Sequence, residues 1–239
     1  MRVPRAGRWS VSVAKNGAKA GPRAGFDPWL PSQRLFPPYV WPEVFGRTAP
    51  VELDLGAGDG VYVAARAARE PERDFVAVER LLGRASKIAR KATRSGLRNL
   101  RVLRLESAYF LKHLCPPGTV DVITLRYPDP WPKRRHHGNR ILTRKFADDA
   151  ARACRFGGRL QLTTDDRDYF DWACREVGCS PVWSADLSWS GDTEPTSEFE
   201  EMFQKEGRAV HRRAWMVSGS DCRSLPGNSP AAGHRPEWA

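Results

Sequence analysis

The chain has little of what exported or membrane-embedded proteins rely on. It carries 5 cysteines among 239 residues, at 115, 154, 174, 179 and 222. The number is odd, no pair has C-x-x-C spacing, and Cys174 and Cys179 stand five apart. That pattern argues for reduced thiols in a cytoplasmic protein and against a disulfide framework or a zinc site, so no metal is expected. The N-terminus has arginines but none of the apolar core of a secretory signal. No uninterrupted apolar run approaches the ~20 residues of a transmembrane helix, and no membrane partner is expected. A hydrophobic content of 41% and a charged content of 28% are ordinary for a globular domain with chain enough for one sizeable core.

Acidic residues are scarce as well. Against 39 Lys+Arg stand 28 Asp+Glu, a formal net charge of +11. Such an excess speaks of partners, polyanions first and anionic membrane surfaces second. The scarcity is sharpest over residues 80–104, which hold nine Lys or Arg and no acid. Arg80, Arg84, Lys87, Lys91, Arg94 and Arg98 step by fours and threes, which sets them on one helical face. Leu81, Ala85, Ile88 and Ala92 mark the face that packs on a sheet. Solvated faces ordinarily mix signs, because like charges one turn apart cost roughly a few tenths of a kcal/mol. A phosphate backbone would relieve that repulsion.

Residues 1–25, rich in Arg, Gly, Ala and Lys, read as a disordered basic tail, and the Ser/Gly/Pro-rich 218–239 as a second disordered tail. The 26–50 stretch, with prolines at 28, 31, 37, 38, 42 and 50 among Trp29, Phe36, Tyr39 and Trp41, reads as an irregular or short-helical lead-in with aromatic anchors. Between 51 and 217 apolar runs alternate with helical patterns. Strands are expected at Val51–Leu55, Phe75–Val78, Leu100–Leu105, Val120–Leu125 and Arg159–Thr163. Helices are expected near 60–70, 82–95, 142–155 and 168–177. Val182–Trp189 and Val210–Val217 read as a late strand pair separated by an acidic stretch. The alternation implies an α/β fold with a doubly wound, mostly parallel sheet and an antiparallel C-terminal edge pair.

The first strand runs into Leu53-Asp54-Leu55-Gly56-Ala57-Gly58-Asp59-Gly60. A dinucleotide fingerprint wants a further glycine at position 61, which is Val61. The shorter turn suits an adenosine-bearing cofactor without a pyrophosphate. Glu79, closing the second strand, can accept from ribose hydroxyls, and Asp54 offers a carboxylate to an ammonium group. Acid-x-Gly-x-Gly resembles the motif of the Rossmann-like S-adenosylmethionine-dependent methyltransferases. Glu106 resembles the acid that meets the adenine amino group in that class.

The densest segment is Tyr127-Pro128-Asp129-Pro130-Trp131-Pro132-Lys133-Arg134-Arg135-His136-His137. It sets one carboxylate in a proline-bracketed turn after a buried strand, with a cationic run behind it. Together with Leu53–Gly60, Ala77-Val78-Glu79, Thr164-Asp165 and Ser197-Glu198-Phe199-Glu200, it closely resembles the signature of the tRNA (guanine-N7-)-methyltransferases. The resemblance covers roughly residues 50–217. It implies S-adenosylmethionine as cofactor, tRNA as partner, and methylation of the variable-loop guanosine at position 46 of tRNA. By the same likeness, Asp54, Gly56, Gly58, Glu79, Glu106 and Asp129 sit on the cofactor. Lys133, Asp165, Ser197, Glu198, Phe199 and Glu200 approach the substrate, and Arg134, Arg135, His136, His137 and Arg140 face RNA. Asp129 is the candidate catalytic group. Asp165 has a second reading, as the cap of the helix that follows it. Gly138-Asn139 stands where the family commonly carries another basic pair. An RNA amino-methyltransferase and an RNA-binding scaffold without catalysis remain as alternatives, and the residues do not decide between monomer and homodimer.

Overall fold

The computed structural model describes residues 27–30, 38–191, 194–196 and 198–218. Both expected tails lie outside these residues apart from Ser218. Strands β1 (Val51–Leu55), β2 (Asp74–Val78), β3 (Leu100–Leu103), β4 (Val120–Arg126) and β5 (Cys154–Thr164) run parallel. The late strands β6 (Trp183–Asp186) and β7 (His211–Val217) are antiparallel to each other, and β7 also pairs antiparallel with β5. The spatial order β3-β2-β1-β4-β5-β7-β6 reverses between β1 and β4. In open α/β sheets, ligands bind outside the strand C-termini at such a reversal. The doubly wound sheet with an antiparallel edge is the fold that the alternation predicts.

Period-two alternation divides the core between the two sheet faces. Val51, Leu53 and Leu55 of β1 join one cluster, with the helices α4 (Ser107–His113), α5 (Arg144–Ala153) and α6 (Arg167–Gly178) over it. Phe75 and Ala77 of β2 face the other cluster, built with α2 (Val61–Arg69) and α3 (Leu82–Ser95). On α3 the buried residues are Ala85, Ile88, Ala89 and Ala92, so the predicted apolar face is the packed one. A short helix α1 (Trp41–Phe45) belongs to the lead-in; its buried Trp41 donates its indole N–H to Thr119 at 2.9 Å. Just before it, Trp29 bridges Val102 in parallel at the β3 edge.

Several boundaries differ from the sequence expectation. β3 stops at Leu103 rather than Leu105, because Glu106 turns the chain into α4, an element the apolar pattern does not announce. β5 starts five residues early, at Cys154, and carries Gly157-Gly158 inside it with a register shift opposite Val120 and Val122. At Gly158 a Cβ would lie 2.9 Å from the Val120 carbonyl oxygen, so glycine permits the close strand approach. β6 ends at Asp186, whose carboxylate accepts from the Ser188 N–H at 3.0 Å and hydroxyl at 2.5 Å and forms a side-chain turn. The acidic stretch between the late strands contains the helix α7 (Glu198–Lys205).

Candidate active site

The glycine loop joins β1 to α2. Gly56, Gly58 and Gly60 all adopt left-handed backbone, with φ of 80°, 60° and 74°, which glycine reaches without Cβ strain. Gly60 also sits where a Cβ would fall 2.6 Å from Ile88 Cγ1, whereas Gly56 and Gly58 face open space. The Glu79 carboxylate fastens the loop: one oxygen accepts from the Gly58 N–H at 3.0 Å and the other from the Leu81 N–H at 2.7 Å.

A cavity of about 850 Å³ opens along this edge. It runs from Gly56 and Glu79 past Glu106 and Tyr109 to Asp129 and Trp131. That volume is of the size that small-molecule sites use, ~300–1,000 Å³. Asp54 lies buried beneath the loop and does not line the cavity. Its side chain forms no hydrogen bond or ion pair among the described residues. Burial pushes its carboxyl up to about 7, partly offset by Arg126 and reinforced by Glu79. A desolvated carboxylate of this kind suits a cationic group bound above it.

Glu106 is an exposed residue at the N-terminus of α4, and its side chain accepts from the N–H groups of Ala108 at 2.9 Å and Tyr109 at 2.6 Å. It is therefore a helix cap, and it still borders the cavity. Asp165 is not the cap of α6: Asp166 is, accepting from the Tyr169 N–H at 2.7 Å. Asp165 pairs instead with Arg208.

The Asp129 turn is held in an unusual backbone. Tyr127 and Trp131, both non-glycine, have φ of 48° and 47°, a region that costs bulky residues roughly 1–3 kcal/mol each. Several contacts hold the turn in place. The Tyr127 N–H donates to the Thr163 carbonyl at 2.7 Å, and its ring packs 5.3 Å from Phe203. Trp131 meets His136 edge-on at 5.9 Å. Between the two aromatics, Asp129 is exposed, lines the cavity, and engages no hydrogen-bond donor or ion-pair partner among the described residues.

Two of the expected contact residues lie in the interior. Arg140, expected on the RNA-facing surface, has a side chain that is 1% exposed and donates to the Pro130 carbonyl at 2.8 Å and to Asp168 at 2.5 Å. Its guanidinium also lies 5.3 Å from the Trp172 ring and 5.6 Å from that of Tyr169. Its planar fork tethers the Asp129 turn to α6, and a cation tied to a carbonyl and a carboxylate can be buried. Glu200, expected near the substrate, also lies in the interior. It is buried and ion-paired with both Arg126 and Arg212. Ser197 lies outside the described residues, and Glu198 and Phe199 belong to the first turn of α7.

Lys133, Arg134 and Arg135 are exposed on a 3-10 turn (Arg134–Asn139), and Lys133 and Asp165 lie off the cavity wall. His136 and His137 are half-buried, His137 edge-on to Trp172 at 5.9 Å. Arg126 escaped the sequence reading. It ends β4, stacks on Tyr62 at 4.3 Å, and stands between the charges of Asp54 and Glu200. The one available signal was a basic residue ending an otherwise apolar strand. The segment leading to α7 is latched in a similar way, with Glu194 accepting from Tyr62 at 3.1 Å and Arg66 at 2.7 Å on α2.

Comparison with known proteins places the fold and the family. A solved 16S rRNA methyltransferase, KamB, is similar in fold at TM-score 0.55 and 17% identity, covering 75% of this chain and 93% of that one. Curated proteins named tRNA (guanine-N(7)-)-methyltransferase are similar in sequence. The one from Thermotoga maritima is 30% identical over 76% of this chain and 55% of its own length. The one from Halorhodospira halophila is 40% identical over 54% and 56%, and the one from Cutibacterium acnes 33% over 73% and 65%. The chain thus spans between half and two-thirds of the length of these relatives. A family model, Methyltransf_4, described as "Putative methyltransferase", matches residues 48–213, which takes in the glycine loop, the Asp129 turn and the Glu200 network, and the chain belongs to that methyltransferase family.

Proposed function

We propose that this protein transfers a methyl group from S-adenosylmethionine to N7 of guanine in tRNA, at the variable-loop guanosine. The observation that carries the reading is the Asp129 turn: an exposed, unengaged carboxylate at the cavity wall, fixed at the reversal point of the sheet. The relatives' printed names supply the substrate class.

The residues fit the cofactor. Gly56 and Gly58 leave open space above the loop, Glu79 keeps lone pairs for ribose hydroxyls, and the buried Asp54 would be relieved by an amino group. Glu106, fixed by its capping bonds, presents its edge to the adenine end. Bound, S-adenosylmethionine supplies the electrophilic methyl group.

Guanine N7 carries an in-plane lone pair and no proton, so no side chain has to act as general base. The protein's task is to hold the base in line with the methyl group, and such positioning supplies roughly 7–11 kcal/mol in favourable cases. Positive charge grows on the purine as the bond forms, and a fixed carboxylate beside it stabilises that charge. Asp129 takes this role. Lys133, Arg134 and Arg135 follow on the exposed side and would hold phosphate. Arg140 and Asp168 act through the turn and not on the base.

Incubation of the chain with an unmodified tRNA transcript and labelled cofactor tests the reading. The expected product shows borohydride/aniline cleavage at the variable-loop guanosine. Label on an exocyclic amine, found by mass spectrometry of the digested RNA, would make it an amino-methyltransferase. An RNA that binds but gains no label would leave a scaffold.

A further inference from the structure

The cationic face of α3 has no task in the site described above. The exposed side chains Arg80, Arg84, Lys87, Arg90, Arg94 and Arg98, with the half-exposed Lys91, form no ion pair among the described residues. Elsewhere the same structure pairs its surface cations readily: Arg144 with Asp148 at 3.0 Å, Lys145 with Asp149 at 3.4 Å, and Arg167 with Asp171 at 3.0 Å, each one helical turn apart. On α3 the partner positions hold further cations.

The stripe is continuous with the candidate active site. Arg80 and Arg84 line the cavity of the candidate active site. One to three turns on, Lys87, Arg90, Lys91 and Arg94 line a second groove of about 860 Å³, walled on its far side by Trp29. A helix of 14 residues spans ~21 Å, so the cations form a track leading away from the reacting end. Two carboxylates, Asp27 and Asp59, stand at this groove, and both are engaged by backbone: Asp27 accepts from the Trp29 N–H at 3.0 Å and Asp59 from the Val61 N–H at 3.2 Å. Neither carboxylate pairs with α3, whose Lys91 donates only to the Asp59 backbone carbonyl at 3.4 Å.

We infer that the α3 face is a second docking surface, which grips the phosphate backbone of the substrate RNA at a distance from the methylated base. The inference rests on the function proposed above. A polyanion removes the repulsion along the stripe and releases its own counterions. A lipid surface fits less well, because the apolar side of α3 is consumed in the core, and membrane-lying helices need theirs exposed. The surface also answers a deficit in the Asp129 segment. There Gly138-Asn139 brings no charge, and Arg140 is withdrawn into the protein, so less of the positive field stands beside the base.

The test is the triple variant Lys87→Gln, Arg90→Gln and Arg94→Gln, none of which borders the active-site cavity. Binding of an unmodified tRNA transcript is measured across a salt series, with an unchanged melting temperature as the check on folding. The expected result is a slope of log K against log[salt] shallower by about two to three, at ~0.7–0.9 for each phosphate that is no longer neutralised. In steady-state assays KM for tRNA rises about tenfold or more while kcat stays within about twofold, as removal of uniform binding requires. An unchanged slope with wild-type methyl transfer overturns the docking surface and leaves the function standing. An inactive wild type whose slope still collapses in the variant removes the function and keeps the surface. Unchanged tRNA binding together with abolished binding to phosphatidylserine vesicles assigns the face to lipid and overturns the inference.

Discussion

The glycine loop and the Asp129 turn both bend the chain through left-handed backbone at the same edge of the sheet, and they do so by opposite means. The loop uses three glycines, for which φ near 60–80° carries no Cβ penalty. The turn uses Tyr127 and Trp131, and is stable only because Arg140, Thr163, Phe203 and His136 hold it from several sides. The contrast separates two tasks. Gly56 and Gly58 leave the backbone bare for a ligand to approach, while the turn fixes one carboxylate in space and leaves it unengaged.

The largest expected effect falls on that carboxylate. Asp129→Ala should lower kcat by ~10²–10³, the size of other fixed groups that stabilise developing charge, while cofactor affinity by calorimetry stays within ~10-fold. Wild-type turnover would show that the strained turn serves packing alone. Next comes its tether. Arg140→Ala should lower kcat by about 10–100-fold through misplacement of the turn, with KM for tRNA little changed. A large rise in KM at constant kcat would return Arg140 to the RNA surface. Partial rescue by Arg140→Lys would support the tether, since a lysine can reach the Pro130 carbonyl but not Asp168 with the same fork.

On the loop side, Gly60→Ala meets both a positive φ and Ile88. It should cost about 2–4 kcal/mol of stability in urea unfolding, from the strain and the overlap together. Gly58→Ala meets only the φ and should cost about 1–2 kcal/mol. Equal effects would mean that the Ile88 side chain yields.

The pH dependence probes the loop side further. Burial pushes the Asp54 carboxyl up to about 7, against an ordinary value near 4. Between those limits the folded chain holds protons that the unfolded chain has released. Stability of the cofactor-free protein should therefore fall as pH rises from about 4 to about 7. Asp54→Asn should flatten part of that fall in thermal melts, and bound cofactor should flatten it too. The smallest effect is expected at Trp131→Gly, where relief of strain and removal of the ring packing oppose each other and leave a net change within about 1 kcal/mol.

What the sequence revealed follows the range of the interactions involved. β1, β2, β4 and the packed face of α3 are written in neighbouring residues by alternation and by three-four spacing, and the structure returns them almost unchanged. Asp129 was legible because its prolines, its preceding strand and its cations are adjacent. The capping role of Glu106 was not legible, because its partners are backbone N–H groups two and three residues ahead, which carry no letter in the sequence. Glu200 meets Arg126 across 74 residues, beyond the reach of any local pattern. Arg140 stands among surface cations in the chain, and only the packing of α6 against the turn reveals that it is interior.

The bridge at Trp29 has a consequence for handling the protein. β3 is an outer strand of the sheet, and its open side is partly closed by the chain itself: Val102 donates to the Pro28 carbonyl at 2.7 Å and accepts from the Leu30 N–H at 2.8 Å. A bare strand edge is a template for pairing with other chains. Shortening the N-terminus to Pro38 would strip that cover, and aggregation would accompany any loss of activity. Deletion experiments on the basic N-terminal residues should therefore keep the chain from Asp27 onward.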